Sequence, residues 1–338
     1  MPGPGRRFNI GDIHLHPHED IITHMSVDRM LSLKHVDIGS DLFNTGYRQA
    51  AKLAEALREA RQSRAPRILF MGGHPIKLGL SRYLVDLIRR GWITHVATTG
   101  AGLIHDYQLT VHGVTDEDVP ATLAQGKFGF WDKLDHLNKI VNYSCHGTMA
   151  GLGHRYGTYV SQNKYVDNGP ILGNNRRWRD VRPWSVLGNA SVNGNGATVH
   201  VSIGTDILGM YPNYRGGSWG TASHMDFLEF AELICNMGNG VFINMGSAVQ
   251  GPEVFLKAIS MAIHTERLPT NITTAVMDMY PLPDDWESQN YTRDDPHYYW
   301  RPWKTILKRA LVSKDSSSLY VRGDFRDTVP ALWSCLVD

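Results

Sequence analysis

Apolar residues first fall into a sustained period at residues 46–64, where Ala, Leu and Arg recur at helical spacing, and residues 1–45 before them read as an irregular N-terminal extension. A short apolar run, RILFMGG at 67–73, ends in glycines and is followed by apolar positions at helical spacing over 80–90, which predicts strand, loop and helix. The pattern repeats with HVATTG at 95–100, a turn at Ala101-Gly102 and a helix from Leu103. Residues 116–186 mix helical segments with polar loops, including a stretch rich in Tyr, Asn and Arg over 156–184, and their order cannot be read. Beyond them, ATVHVSI at 197–203 predicts a third strand closed by Gly204-Thr205-Asp206, with a helix over 227–237. A fourth strand is expected at 240–246, a helix opened by Pro252 and running to His264, and a fifth strand at 272–279.

Strands that are apolar throughout, rather than alternating, and that are separated by helices predict a doubly wound, mostly parallel α/β sheet covered on both faces. With no repeat and no interdomain linker, residues 46–280 read as one α/β domain. Residues 281–338, rich in Tyr, Trp, Arg and Asp, read as a C-terminal arm packed on that domain or on a neighbouring subunit.

Composition narrows the setting. A hydrophobic content of 42% over 338 residues fills a sizeable core. With 34 Lys plus Arg against 33 Asp plus Glu, no global field points to nucleic acid or an anionic membrane, so a small-molecule partner is expected. Cys145, Cys235 and Cys335 form no C-x-x-C pair, and no apolar run of about 18 residues occurs, so the reading is a cytoplasmic protein with neither a disulfide framework nor a membrane span.

In an open parallel sheet the ligand crevice lies beyond the carboxyl ends of the strands, and here those ends carry small and polar residues. They are Gly72-Gly73-His74, Thr98-Thr99-Gly100-Ala101-Gly102, Gly204-Thr205-Asp206 and Gly246-Ser247, with the polar Asn244 inside the fourth strand. Glycine lets backbone N–H groups approach phosphate, and a helix N-terminus beyond favours an anion, so a nucleotide is expected there. A single βα turn uses such residues anyway; four together favour the ligand reading. The G-x-G-x-x-G fingerprint is absent. His74 and Lys77 on the first loop and His105-Asp106 on the second are candidate working groups, a base and an anion holder, with a loop cap and a helix-start residue as the bland alternatives for the two histidines. The spacing of His14, His16 and His18 invites a metal, but Pro17 interrupts any strand and no distant second ligand cluster stands out, so these read as exposed leader histidines and no metal is expected.

The order of residues 70–80, then TTGAG at 98–102 with His105-Asp106, then Thr205-Asp206, then Gly246-Ser247 resembles the deoxyhypusine synthase family over roughly 46–280, most clearly in the second turn. The resemblance implies a Rossmann-like fold, a homotetramer, NAD as cofactor and transfer of an aminobutyl group from the polyamine spermidine through an imine on a lysine. Carried over by position, it implies that Thr98, Thr99, Gly100, Asp106, Asp206, Gly246 and Ser247 line the NAD site and that Lys304, after Trp303, is the imine lysine. The chain departs from the family pattern at Gln250-Gly251-Pro252, where a Lys-His-His run is expected, and at 207–211, which hold no acid. Two other readings therefore stay open: the same fold running a different small-molecule reaction on His74, Lys77, His105 and Asp106 without a lysine imine, and a non-enzymatic nucleotide sensor whose C-terminal arm moves on binding.

Overall fold

The computed structural model describes residues 8–37, 45–143, 150–162, 183–192, 195–313 and 315–337, so Cys145 and His146 lie outside it. In chain order the elements are β1 (Thr23–Ser26), α1 (Thr45–Gln62), β2 (Arg67–Met71), α2 (His74–Lys77), α3 (Ser81–Arg89), β3 (His95–Thr99), α4 (Gly100–Val111) and β4 (Val114–Glu117). There follow α5 (Val119–Ala124), α6 (Asp135–Tyr143), α7 (Leu152–Gln162), α8 (Val186–Val192), β5 (Gly196–His200) and α9 (Gly216–Cys235). The chain closes with β6 (Val241–Met245), α10 (Gln250–His264), β7 (Thr273–Asp278), a π-helix (Pro302–Arg309), β8 (Ser317–Arg322) and α11 (Phe325–Val337).

The main sheet has the order β5-β3-β2-β6-β7-β8, every neighbouring pair parallel. β2, β3 and β6 are buried at every residue because alternate side chains feed two cores. On β2, Leu69 and Met71 join one core with residues of α1, α3 and α11, while Ile68 and Phe70 join the other with residues of α9, α10 and the π-helix. Phe242 of β6 stacks on Phe255 of α10 with ring centroids 3.9 Å apart. A separate antiparallel pair, β1 with β4, carries part of the N-terminal segment against the chain that follows α4. No helix among the described residues is long and apolar enough to cross a membrane.

The predicted strands and helices recur with shifted ends. α4 begins at Gly100, so Ala101 and Gly102 form its first turn rather than a separate loop: the Thr99 hydroxyl accepts the Gly102 N–H and caps the helix. β5 stops at His200, because the backbone from Val201 turns away toward Asp206. The segment after residue 280 supplies the π-helix, the edge strand β8 and α11, which packs on α1. β8 is exposed at its ends and buried only at Tyr320 and Val321, so it lacks the continuous apolar run that marks the central strands.

Candidate active site at the carboxyl ends of the strands

Numbered within the main sheet, the strand order is 3-2-1-4-5-6, and the chain reverses between β2 and β6. The helices that follow these two strands pack on opposite faces, which opens a crevice at their carboxyl ends. The two ends approach closely. A Cβ on Gly72 would lie 2.3 Å from the Gly246 carbonyl oxygen, and Gly246 holds a φ of 64°, so glycine is demanded at both positions.

Around this point the fold gathers charged and titratable groups from five places in the chain. His74 is exposed at the start of α2, with its ring edge-on to Phe325 at 6.0 Å. Lys77, at the end of the same turn, pairs with Asp116 of β4 at 2.7 Å. The His105 ring lies over Gly73, where a Cβ would sit 2.4 Å from its Cδ2. His105 Nδ1 is 2.7 Å from the Thr115 hydroxyl, which in turn donates to the Gln108 side-chain oxygen. That chain of bonds makes Nδ1 the protonated nitrogen and leaves Nε2 with a lone pair. Asp278 ends β7, and its Oδ1 accepts the N–H groups of Met279 and Tyr280. Asp324, just before α11, accepts from the Arg326 guanidinium.

These groups shape one another's charge. Partial burial, and then the Lys77 ammonium, hold the His74 imidazole below its ordinary range, with Asp116, Asp324 and Asp278 pulling the other way. Burial pushes His105 down to about 4. Burial raises the Asp278 carboxyl, while the Arg326 hydrogen bond lowers that of Asp324. A neutral imidazole thus sits on the rim of a crevice that also contains carboxylates.

Of the residues expected from sequence, His74, Lys77, His105, Gly72, Gly73 and Gly246 meet here. Several others direct their polar atoms into the protein instead. The Thr98 hydroxyl donates to the Met71 carbonyl, the Asn244 amide to the Ser247 carbonyl, and the Ser247 hydroxyl accepts from Gly251 N at the start of α10. Asp106 is corrected most: its carboxylate is fully buried and accepts from Ser185 Oγ, Tyr156 Oη and Val186 N at 2.7–2.9 Å, so it anchors α8 and does not face the crevice. Lys304 lies on the π-helix with its ammonium 3.8 Å from the centre of the Tyr298 ring, the ordinary snorkelling arrangement, and is not among the groups gathered around His74. Asp206 lies over Gly100, where a Cβ would meet its carboxylate at 2.4 Å, and burial raises its pKa. The chain's own acid therefore holds the place over the α4 N-terminus where a phosphate was expected. Thr205 is exposed and donates to the Ser202 carbonyl.

On the other side of the Asp206 loop, a cleft of about 460 Å³ opens between the end of β5 and the starts of α9 and α10, lined by His200, Ser202, Ser223, His224, Gln250 and Lys257 among others. That volume is in the range of small-ligand sites. Nothing local marks the acids Asp116, Asp278 and Asp324 as a group: Asp116 heads the acidic run Asp116-Glu117-Asp118, Asp278 lies between two methionines, and Asp324 lies between Gly323 and Phe325. Only the position of Asp278 at a strand end carried a signal, and the fifth strand's end was not read as part of the site.

No protein-family model matches the chain, and no curated protein matches its sequence. Similar solved structures include ArgZ, an arginine dihydrolase from the ornithine-ammonia cycle in cyanobacteria, with a TM-score of 0.46 and 15% identity over 86% of this chain and 31% of that one. AgrE, solved in a ternary complex with ornithine and NAD+, gives a TM-score of 0.45 and 14% identity over 86% of this chain and 32% of that one. A protein from Entamoeba histolytica, provisionally assigned as a deoxyhypusine synthase, gives 0.40 and 12% identity over 89% and 95%. The chain spans about a third of the length of ArgZ and AgrE. At these values the likeness carries no statement about activity.

Proposed function

We propose that this chain is an enzyme that binds an NAD-class dinucleotide at the carboxyl edge of its sheet and acts there on an amine-bearing small molecule. The observation that carries this reading is the reversal of strand order between β2 and β6, the place at which doubly wound sheets hold nucleotides. The resemblance of the strand-end motifs to deoxyhypusine synthase points to the same cofactor. Asp206 offers an acceptor for ribose hydroxyls, and Lys257 in the adjoining cleft, paired with Glu253 in the unliganded chain, offers a cation for the pyrophosphate once that pair opens. When bound, NAD supplies an acceptor for hydride from the carbon that bears the amine nitrogen.

The chain's own groups divide the rest of the work. Asp278 and Asp324 attract the substrate ammonium, because a buried cation needs a carboxylate. His74, kept neutral, takes the proton released from that nitrogen. Burial first, and then Lys77, fixed by Asp116, keep His74 deprotonated. In this reading the working groups are His74 and Lys77, and Lys304 takes no part. Transfer of an aminoalkyl group to a second amine, as the family resemblance implies, is the finer form of the proposal.

The test is thermal or chemical denaturation with and without NAD. NAD at about 100 times its Kd is expected to stabilise the fold by roughly 2.7 kcal/mol. Asp206→Ala should remove that gain, and Lys304→Ala should keep it. Absence of any gain with NAD, or a gain indifferent to Asp206→Ala, overturns the assignment.

A further inference from the structure

Apart from the strand-end crevice, three side chains meet where the N-terminal segment passes the end of α4. His18 opens a short 3-10 turn, His112 caps α4, and Asp132 follows Trp131. One ligand atom from each lies within 4.8 Å of the others. His18 Nδ1 is 3.4 Å from Asp132 Oδ1 and 3.1 Å from Glu19 Oε2, and the rings of His18 and His112 have centroids 4.4 Å apart. His18 is thus half-buried against a second histidine, not the exposed leader residue its sequence context suggests.

The nitrogens decide the reading. His18 Nδ1, though near the Glu19 and Asp132 carboxylates, makes no well-aligned hydrogen bond, and both ring nitrogens of His112 are shielded from solvent and find no partner among the described residues. Leaving such groups unmatched costs free energy, so each calls for an explanation. An ion pair between His18 and Asp132 would account for one nitrogen and leave both of His112 unmatched, one of which a metal ion would take. We propose that His18, His112 and Asp132 form a site for a zinc-class divalent cation, with the remaining position open to water or to Glu19.

Two imidazoles and a carboxylate are a donor set suited to that class. Metal–ligand bonds of about 2.0–2.1 Å at tetrahedral angles place ligand atoms about 3.3–3.4 Å apart, which is the spacing between His18 and Asp132. The surroundings hold the ligands in place. Asp132 Oδ1 accepts the His18 backbone N–H at 3.0 Å, Asp132 N donates to the His16 carbonyl at 2.7 Å, and His112 packs against the rings of Trp131 and Tyr107. An ion there would clamp the N-terminal segment to α4 and to the Trp131 loop.

The experiment uses the full chain, without an affinity tag, stripped by a chelator and then titrated with Zn²⁺ against a chromophoric competitor and with Co²⁺ for its visible spectrum. One ion per chain is expected, with a rise in Tm on loading. His18→Ala and Asp132→Asn, both at partly exposed positions, should each weaken Zn²⁺ by more than the roughly 100-fold that loss of an outer-shell partner costs at most. The double variant His14→Ala/His16→Ala should bind as the parent does, and circular dichroism checks that every variant folds. Failure to bind one ion, or loss of binding in the His14/His16 variant but not in His18→Ala, overturns the site.

Discussion

His74 and Lys77 sit one helical turn apart, and their coupling sets the state of the crevice. Burial acts first in lowering the His74 pKa and the Lys77 ammonium second, while Asp116 opposes both. Replacing Lys77 with Met removes a cation and also releases Asp116 from its pair. Both changes raise the His74 pKa. The acid limb of kcat/KM in Lys77→Met should therefore move to higher pH, with a larger loss at pH 6 than at pH 8. An unshifted limb would mean that His74 is not the base. The pair itself was visible in the sequence, as a histidine and a lysine on a strand-end loop. Its partner acid was not, because Asp116 arrives from a strand that pairs with the N-terminal segment rather than with the main sheet.

Asp106 belongs to the architecture of the helices. It lies on α4 next to His105, yet it points to the interior and holds the start of α8 through Ser185 and Val186 and the middle of α7 through Tyr156. Asp106→Ala strands three donors in a dry interior, each worth about 1–3 kcal/mol when unpaired. Urea denaturation is expected to show a loss of about 3 kcal/mol or more, the low end of the sum over three unpaired donors. The gain in stability from NAD should persist in the folded fraction. Adjacent residues on a helix point about 100° apart, so His105 and Asp106 face different surroundings, and a motif read as a pair divides between the site and the core. The same limit applies at β8: a half-buried edge strand has no strong sequence signature, whereas β2, β3 and β6 announce themselves because two cores claim their alternate residues.

For the molecule as a whole, buried titratable groups set opposing responses to pH. Burial holds His95 and His200 down to about 3 and His105 down to about 4. The unfolded chain takes up protons on these residues near pH 6.5, where the folded protein does not, so the stability they contribute is present above that value and is lost as pH falls toward 4. Asp226 acts in the opposite sense. Burial raises it to about 8, and its Oδ1 has no hydrogen-bond partner among the described residues. The folded state keeps a proton that the unfolded chain releases near pH 4, so stability falls as pH rises from 4 to 8. Asp226→Asn should cancel this term. Between pH 6.5 and 8, chemical denaturation should find the variant gaining up to about 2 kcal/mol on the parent, since each pH unit is worth about 1.4 kcal/mol per proton. A constant difference across that range would show that Asp226 is already ionised in the native state.

What the sequence by itself determined was local: five of the six strands of the main sheet and their helices, read from mostly apolar and β-branched runs, and the small or polar residues where those strands stop. Those features survive because period and turn chemistry depend on near neighbours. Tertiary structure alone decided the rest. The strand order placed β2 beside β6 and so located the crevice. It brought Asp116, Asp278 and Asp324 to His74, turned Asp106 inward, kept Lys304 on Tyr298, and set His18 beside His112 and Asp132. Except for Lys304 and Tyr298, which are near neighbours in the chain, each is a contact between distant segments, fixed by how two cores pack against one sheet, and no local pattern of residues encodes it.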